Sequence, residues 1–326
     1  LALENQYTPS SIILDAPLVL DQGTDLKKWK PQNYGKKFYG PSTLRVGLEK
    51  SRNLMTVRIA QSLGIDKLAN FSKEMKIYEN PEELLSISLG SAETTLLNLT
   101  SAYCTFANGG KLIEPILIDR IQDGEGNTII NNENRKCVNC DKISYTGKEF
   151  PKIEDNYNKV LSAQTAYQIT SLLEGVVQRG TGKKLKNLNL NLAGKTGTTN
   201  KNTDTWFIGF TSNLVIGVYV GMDNPKPLGK YETGSKVALP VFKEFVENAW
   251  RGDGYLSGAG ENLKPYYWQE NSDHIRNRDG IVFSDEYHVN SEGDPAYYMN
   301  LIMDASRKIG LDLGRYGGGQ EDGRYN

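Results

Sequence analysis

Two short runs in this 326-residue chain carry residue types that can do chemistry at close spacing. The first is Lys195-Thr196-Gly197-Thr198-Thr199. Its lysine supplies positive charge, its threonines supply hydroxyl donors, and its glycine lets a substrate backbone approach closely. On a strand edge, such a run can bind an extended peptide by strand addition and hold its carboxylate. Taken alone, it also fits a polar strand end. A phosphate-cradling loop would place a glycine five positions before Gly194, where the chain has Asn189, and a helix after it, where the pattern is strand-like. That reading is rejected.

The second run is Ser51-Arg52-Asn53. A serine and an asparagine two apart at a helix junction can face one cleft. The hydroxyl can relay a proton, and the amide can meet a carbonyl and an amide at once. In isolation, ordinary helix capping by Ser51 or Asn53 is the favoured explanation of the triplet. The only histidines, His274 and His288, lie in the C-terminal tail, which makes a Ser-His-Asp triad an unsuitable reading. A serine enzyme built on this core would use lysine as base. Serine occurs three residues before none of the lysines, so no S-x-x-K is present. Thr198-x-x-Lys201 lies inside the K-T-G run and cannot replace it.

Hydrophobic periodicity and turn residues indicate the elements that position these runs. Residues 1 to about 40 read as irregular, interrupted by Pro9, Pro17, Pro31 and Pro41. Leu1-Ala2-Leu3-Glu4 reads as the end of a helix already under way, which marks the chain as a fragment. Helices are predicted over Ser42–Lys50, Asn53–Leu63 with Gly64 as stop, Asp66–Met75, Thr94–Asn108 and Ser162–Arg179. Strands joined at Asp123–Gly126 are expected within residues 111–130. Leu192–Thr199, Thr203–Phe210 and Leu214–Met222 read as three strands with short, hence antiparallel, connections, closed by a helix over Val237–Trp250. The expected fold class is α+β, an antiparallel sheet with helices packed on it.

Composition narrows the functional classes. There are 38 Lys and Arg against 39 Asp and Glu, and this balance suggests no nucleic-acid partner. Thr205–Met222 runs 18 residues without formal charge, close to a membrane span, but Thr211-Ser212-Asn213 at its centre marks a hairpin. Cys137 and Cys140 lack a second ligand pair for zinc and read as a local disulfide or loop thiols, and Cys104 as a small core residue. No cofactor or metal is implied. The tail, residues 253–326, holds eight of the 18 tyrosines, ends in glycines and polar residues, and reads as partly flexible and of unknown role.

S-x-N followed by K-T-G gives two of the three elements of the serine β-lactamase and penicillin-binding group. Further segments resemble the transpeptidase domain of bifunctional class A penicillin-binding proteins. They are Trp29–Tyr34 with Phe38–Pro41, Leu44–Ala60, Leu89–Gly110, and Ala193–Asp204 followed by Trp206–Phe210, in this order within residues 1–252. The resemblance implies a D,D-transpeptidase that cross-links peptidoglycan stem peptides at their D-Ala-D-Ala ends through a serine acyl-enzyme, and that β-lactams acylate. It places the nucleophile of S-x-x-K about ten residues upstream of Leu1, and a glycosyltransferase domain and membrane anchor further upstream. The fragment alone would then be inactive, and its parent would work at the periplasmic face of the bacterial inner membrane. By the same resemblance Ser51 relays protons, Asn53 holds the substrate amide, and Lys195 stays charged and orients Ser51. Thr196, Gly197, Thr198 and Thr199 bind substrate, with Thr196 and Thr198 on the terminal carboxylate and the Thr198 N–H as half of an oxyanion hole. A D-Ala-D-Ala carboxypeptidase and a non-catalytic penicillin-recognising module remain as alternatives.

Overall fold

A computed structural model describes residues 1–21, 28–132, 137–138, 152–154 and 156–251. The first pairing is between β1 (Ile12–Asp15) and β2 (Gly40–Thr43), antiparallel, with Ile12 opposite Thr43 and Asp15 opposite Gly40. This corrects the reading of the first 40 residues as irregular. The pairing is non-local, and Pro41 sits in a two-stranded sheet where its missing N–H can face away from the partner. It also moves the first helix start. The hydroxyl of Thr43, not Ser42, accepts from Val46 N at 3.3 Å and begins α1 (Leu44–Glu49).

The next helices follow the sequence pattern closely. α2 (Asn53–Leu63) ends at Gly64, and α3 (Ile65–Glu74) begins directly after it. α4 (Leu96–Ala107) starts at Thr95, which accepts from Asn98 N at 3.1 Å, and ends in Asn108 before Gly109 and Gly110, both with positive φ. β3 (Arg120–Gln122) and β4 (Thr128–Asn131) form the expected hairpin, with Gly126 N donating to Asp123 O. The short pair β5 (Cys137–Val138) and β6 (Lys152–Ile153) follows. Cys140 and the tail from residue 252 lie outside the described residues, as does the side chain of Cys137. Cys104 is a half-buried free thiol whose pKa burial raises.

α5 (Ala163–Gln178) is the spine of the molecule. Ser162 caps it by accepting from Thr165 N at 3.1 Å. Leu172, Leu173, Val176 and Val177 are all buried. Leu172 packs with Ile13, Leu44 and Met55, tying α5 to β1, α1 and α2. Leu173 packs with Ala193 and Phe210.

Those last two residues belong to the main sheet, β7 (Ala193–Thr198), β8 (Thr205–Phe210) and β9 (Val215–Val220), antiparallel in that order. The uncharged stretch is therefore a hairpin turning at Thr211–Asn213. No helix among the described residues is long and apolar enough to cross a membrane. Side-chain alternation gives the sheet two faces. One meets α4 and α5 through Phe210, Tyr103 and Phe106. The other meets α6 (Ala238–Arg251) through Phe207, Leu239, Phe242 and Val246. Two glycines permit this closeness. A Cβ on Gly217 would lie 2.1 Å from Thr100 Oγ1, and one on Gly209 would lie 2.6 Å from Phe242 Cζ. The α+β class expected from the sequence is the fold observed.

Phe242 is fully buried and meets Phe207 edge-on at 4.7 Å between ring centroids. Phe242→Ala is expected to cost about 3–5 kcal/mol in urea unfolding. A loss below about 1 kcal/mol would show that α6 does not close the core.

Candidate active site

α1 and α2 meet in a tight reversal. Lys50 is the last residue in helical register, and Ser51 follows with φ 55°. Ser51 N donates to Leu48 O at 3.1 Å, and Arg52 N donates to Gly47 O at 2.8 Å. These are the paired bonds of a helix end that usually places glycine at the left-handed position. A serine there costs about 1–2 kcal/mol of backbone strain. Strain at a position with a chemically useful hydroxyl points to a role for that hydroxyl.

The hydroxyl has a partner 144 residues away. Lys195 Nζ donates to Ser51 Oγ at 2.9 Å and to Thr196 O at 2.9 Å. Lys195 is half-buried as a residue, but its ammonium end is enclosed, and burial lowers its pKa to about 8. Burial disfavours the charged form, and hydrogen-bond acceptors offset part of that cost. An ammonium cannot accept, so Ser51 Oγ accepts from it and directs its own proton elsewhere.

Asn53, at the first turn of α2, donates from Nδ2 to Gln32 O at 2.8 Å, which fixes the orientation of its amide. The structure thus brings Ser51 and Lys195 together, with Asn53 two residues on and its amide bonded to Gln32 O.

β7 contributes the remainder and is an edge strand of its sheet among the described residues. Alternation puts Lys195 and Gly197 on one face and Thr196 and Thr198 on the other. Thr198 Oγ1 accepts from Gly234 N at 3.0 Å, which leaves its proton free to donate. Thr196 Oγ1 lies 2.7 Å from Thr181 Oγ1. Gly197 has a structural reason to lack a side chain, because a Cβ would lie 3.0 Å from Trp206 Cβ. Thr199 is committed to the β7–β8 turn. Its hydroxyl accepts from Asp204 N at 2.9 Å and lies 2.9 Å from Thr203 Oγ1.

Sequence reasoning did not single out Thr181 or Gly234. Thr181 follows α5 within Arg179-Gly180-Thr181-Gly182. Its N–H donates to Glu49 O at 3.2 Å, and a Cβ on Gly180 would lie 2.3 Å from that same oxygen. A glycine-flanked threonine after a strong helix was the available signal. Glu49, almost fully buried, accepts from Arg179 Nη2 at 2.6 Å and so locks α1 against α5 beside the Ser51 reversal.

A buried ammonium on a sheet edge, hydrogen-bonded to a serine at a helix junction within this α+β frame, fits the resemblance to penicillin-binding transpeptidases. Comparison with known proteins agrees. Residues 1–247 match the family model described as penicillin binding protein transpeptidase domain, and the chain belongs to that family. It is 46% identical over 255 residues to penicillin-binding protein 1A of Rickettsia bellii, covering 77% of this chain and 32% of that protein. It is 34% identical over 278 residues to penicillin-binding protein 1A of Pseudomonas aeruginosa, covering 75% of this chain and 34% of that one. The crystal structure of penicillin-binding protein 1A from Haemophilus influenzae matches with a TM-score of 0.67 at 32% identity, over 78% of this chain and 41% of that one. The chain spans about a third of the length of the curated relatives named.

The strain at Ser51 can be isolated by two substitutions that both remove the hydroxyl. Ser51→Gly is expected to be more stable than Ser51→Ala by about 1 kcal/mol in denaturant unfolding, because only glycine adopts positive φ without penalty. Equal stability would mean the left-handed backbone is not held there. Lys195 gives a second readout. Its pKa falls from 10.5 unfolded to about 8 folded, so the unfolded chain binds more protons between those values. The burial penalty stands below about pH 8 and disappears as pH rises to 10.5. Lys195→Met is expected to remove this rise in stability, and an unchanged pH profile would contradict burial of the ammonium.

Proposed function

We propose that this chain is part of a peptidoglycan D,D-transpeptidase that cross-links stem peptides through a serine acyl-enzyme. Residues 1–252 are the transpeptidase portion, and residues 253–326 are a separate C-terminal tail. The supporting observation is the 2.9 Å bond from Lys195 to Ser51, which joins the S-x-N and K-T-G runs across 144 residues. The family match gives the reaction class its context.

In this reading the nucleophilic serine belongs to an S-x-x-K outside these 326 residues. It attacks the carbonyl of the penultimate D-Ala. The C–N bond to the terminal D-Ala breaks, and that residue leaves as a free amine after taking up a proton. An amine from a neighbouring stem peptide then attacks the ester, loses its proton, and regenerates the serine. β-Lactams acylate the same serine. The whole protein also carries a peptidoglycan glycosyltransferase and is anchored to the inner membrane with this domain on the periplasmic face.

Each described residue has a physical role in that sequence. Lys195 donates to Ser51 Oγ, which leaves the Ser51 proton available to the leaving nitrogen. Asn53, oriented by Gln32 O, presents Oδ1 to the substrate amide N–H. Thr198, whose oxygen accepts from Gly234 N, donates its hydroxyl proton to the terminal carboxylate, and Thr196 does the same beside Thr181. The Thr198 N–H supplies one oxyanion donor. Thr199 acts through the turn it closes, and Gly197 by keeping the strand clear of a side chain.

The test uses the full-length protein and a fluorescent penicillin. A covalent label on the folded protein is expected, and its absence would overturn the acyl-enzyme reading. Lys195→Ala and Ser51→Ala are expected to slow labelling by about 100-fold or more, the scale of a lost proton-transfer group. Near-normal labelling in both would contradict their roles.

A further inference from the structure

We propose that Asn33, acting with Asp15, is a positioning residue for the Ser51-Arg52-Asn53 turn, holding it where Ser51 meets Lys195. The inference rests on the transpeptidase reading above. Asp15 is fully buried at the end of β1, and Asn33 is 4% exposed in the loop between β1 and β2. Asn33 Nδ2 donates to Asp15 Oδ1 at 2.8 Å and Oδ2 at 3.0 Å, and lies 2.9 Å from Lys37 O. Its Oδ1 accepts from Leu54 N at 3.4 Å. That N–H belongs to the first turn of α2, where backbone donors have no partner within the helix. The Asp15 carboxylate also faces Arg52, at 4.0 Å from Nε, and the Arg52 guanidinium lies over the Tyr39 ring, 3.1 Å from its centroid. The adjacent Gln32 O accepts from Asn53.

One segment, Gln32 to Tyr39, therefore touches Arg52, Asn53 and Leu54 in succession, directly or through Asp15. Ser51 is left to Lys195. This arrangement answers the strain at Ser51. A left-handed serine relaxes unless its flanks are fixed. On one side Gly47 and Leu48 of α1 hold it, and on the other the Asn33–Asp15 pair holds the start of α2. A buried carboxylate is a costly way to fill space, because an apolar pair would fill it with less desolvation. Its use here, aimed at the residue between Ser51 and Asn53, assigns the pair to orientation.

The experiment measures acylation of the full-length protein by a fluorescent penicillin, resolving the acylation rate constant k2 from the binding constant Ks. Asn33→Ala is expected to lower k2 by about 10- to 100-fold, the scale of a reacting group displaced by roughly 1 Å, with Ks within about threefold. Combined with Ser51→Ala, it is expected to add no further loss, because it acts through Ser51. Asp15→Asn keeps the shape of the pair but removes the charge that faces Arg52 and one of the two acceptors of Asn33 Nδ2, and is expected to lower k2 by about tenfold. Wild-type k2 in Asn33→Ala overturns the proposal, as does a loss that multiplies in full with Ser51→Ala. If Asn33→Ala does not fold, Asp15→Asn decides. Folded and slow by about tenfold or more, it supports the proposal; folded and with wild-type k2, it overturns it. An unlabelled wild-type protein would overturn the transpeptidase reading itself.

Discussion

The structure depends on one interaction, a buried ammonium on a sheet edge that must find acceptors. Lys195 loses hydration on folding, and burial lowers its pKa to about 8. At neutral pH it is still largely charged, so it needs oxygen atoms that stay in place. One is its neighbour's carbonyl, Thr196 O, and the other is Ser51 Oγ on a strained helix reversal. Each partner makes the other tenable. The strain keeps the hydroxyl in reach, and the bond to a charged donor is worth more than a neutral one and helps offset the strain.

Two separate parts of the chain hold this contact. From one side, α5 carries Arg179 to the buried carboxylate of Glu49 at the end of α1, and Thr181 reaches both Glu49 O and Thr196. Gly175 makes room, since a Cβ there would lie 2.0 Å from Glu49 Oε1. From the other side, the β1–β2 segment holds the start of α2 through Asn33 and Gln32. α5 also packs on β7 through Leu173 and Ala193. The distance between a helix junction and a strand edge is thus set by apolar packing of a single helix against both. That is why residues so far apart in the chain can be positioned to within a hydrogen bond.

The parts legible from sequence were those set by local rules. α2 and α5 carry helical periodicity with a glycine just beyond their ends, and the three long strands alternate around polar turns. Ser51, Asn53 and Lys195 were legible as candidates because their types are unusual in combination. The meeting of Ser51 with Lys195 was not, because nothing in local spacing encodes a contact across 144 residues. β1 and β2 escaped because they pair across a proline-interrupted loop, so neither strand carries its signal alone. Thr181 escaped for a related reason. Its neighbours read as a helix stop, and only tertiary packing brings its hydroxyl to Thr196. Thr199 adjoins the other hydroxyls in sequence, but the turn to β8 begins there and takes its oxygen.

The hydroxyls at the site differ in how firmly their protons are directed, and this bears on what they can bind. Ser51 Oγ faces an ammonium, which can only donate. Thr198 Oγ1 faces a backbone N–H, which can only donate. Both oxygens are therefore acceptors toward these partners, and each proton is left for another acceptor. Thr196 is different, because its partner Thr181 is another hydroxyl and either can donate. The direction of that bond is set by what else is present. In the proposed reading, a carboxylate beside Thr196 would take the Thr196 proton and Thr181 would donate in its place. Without one, the pair satisfies itself. The strand thus offers one donor fixed by its backbone partner and one that an anion can recruit, and both require only local proton rotation.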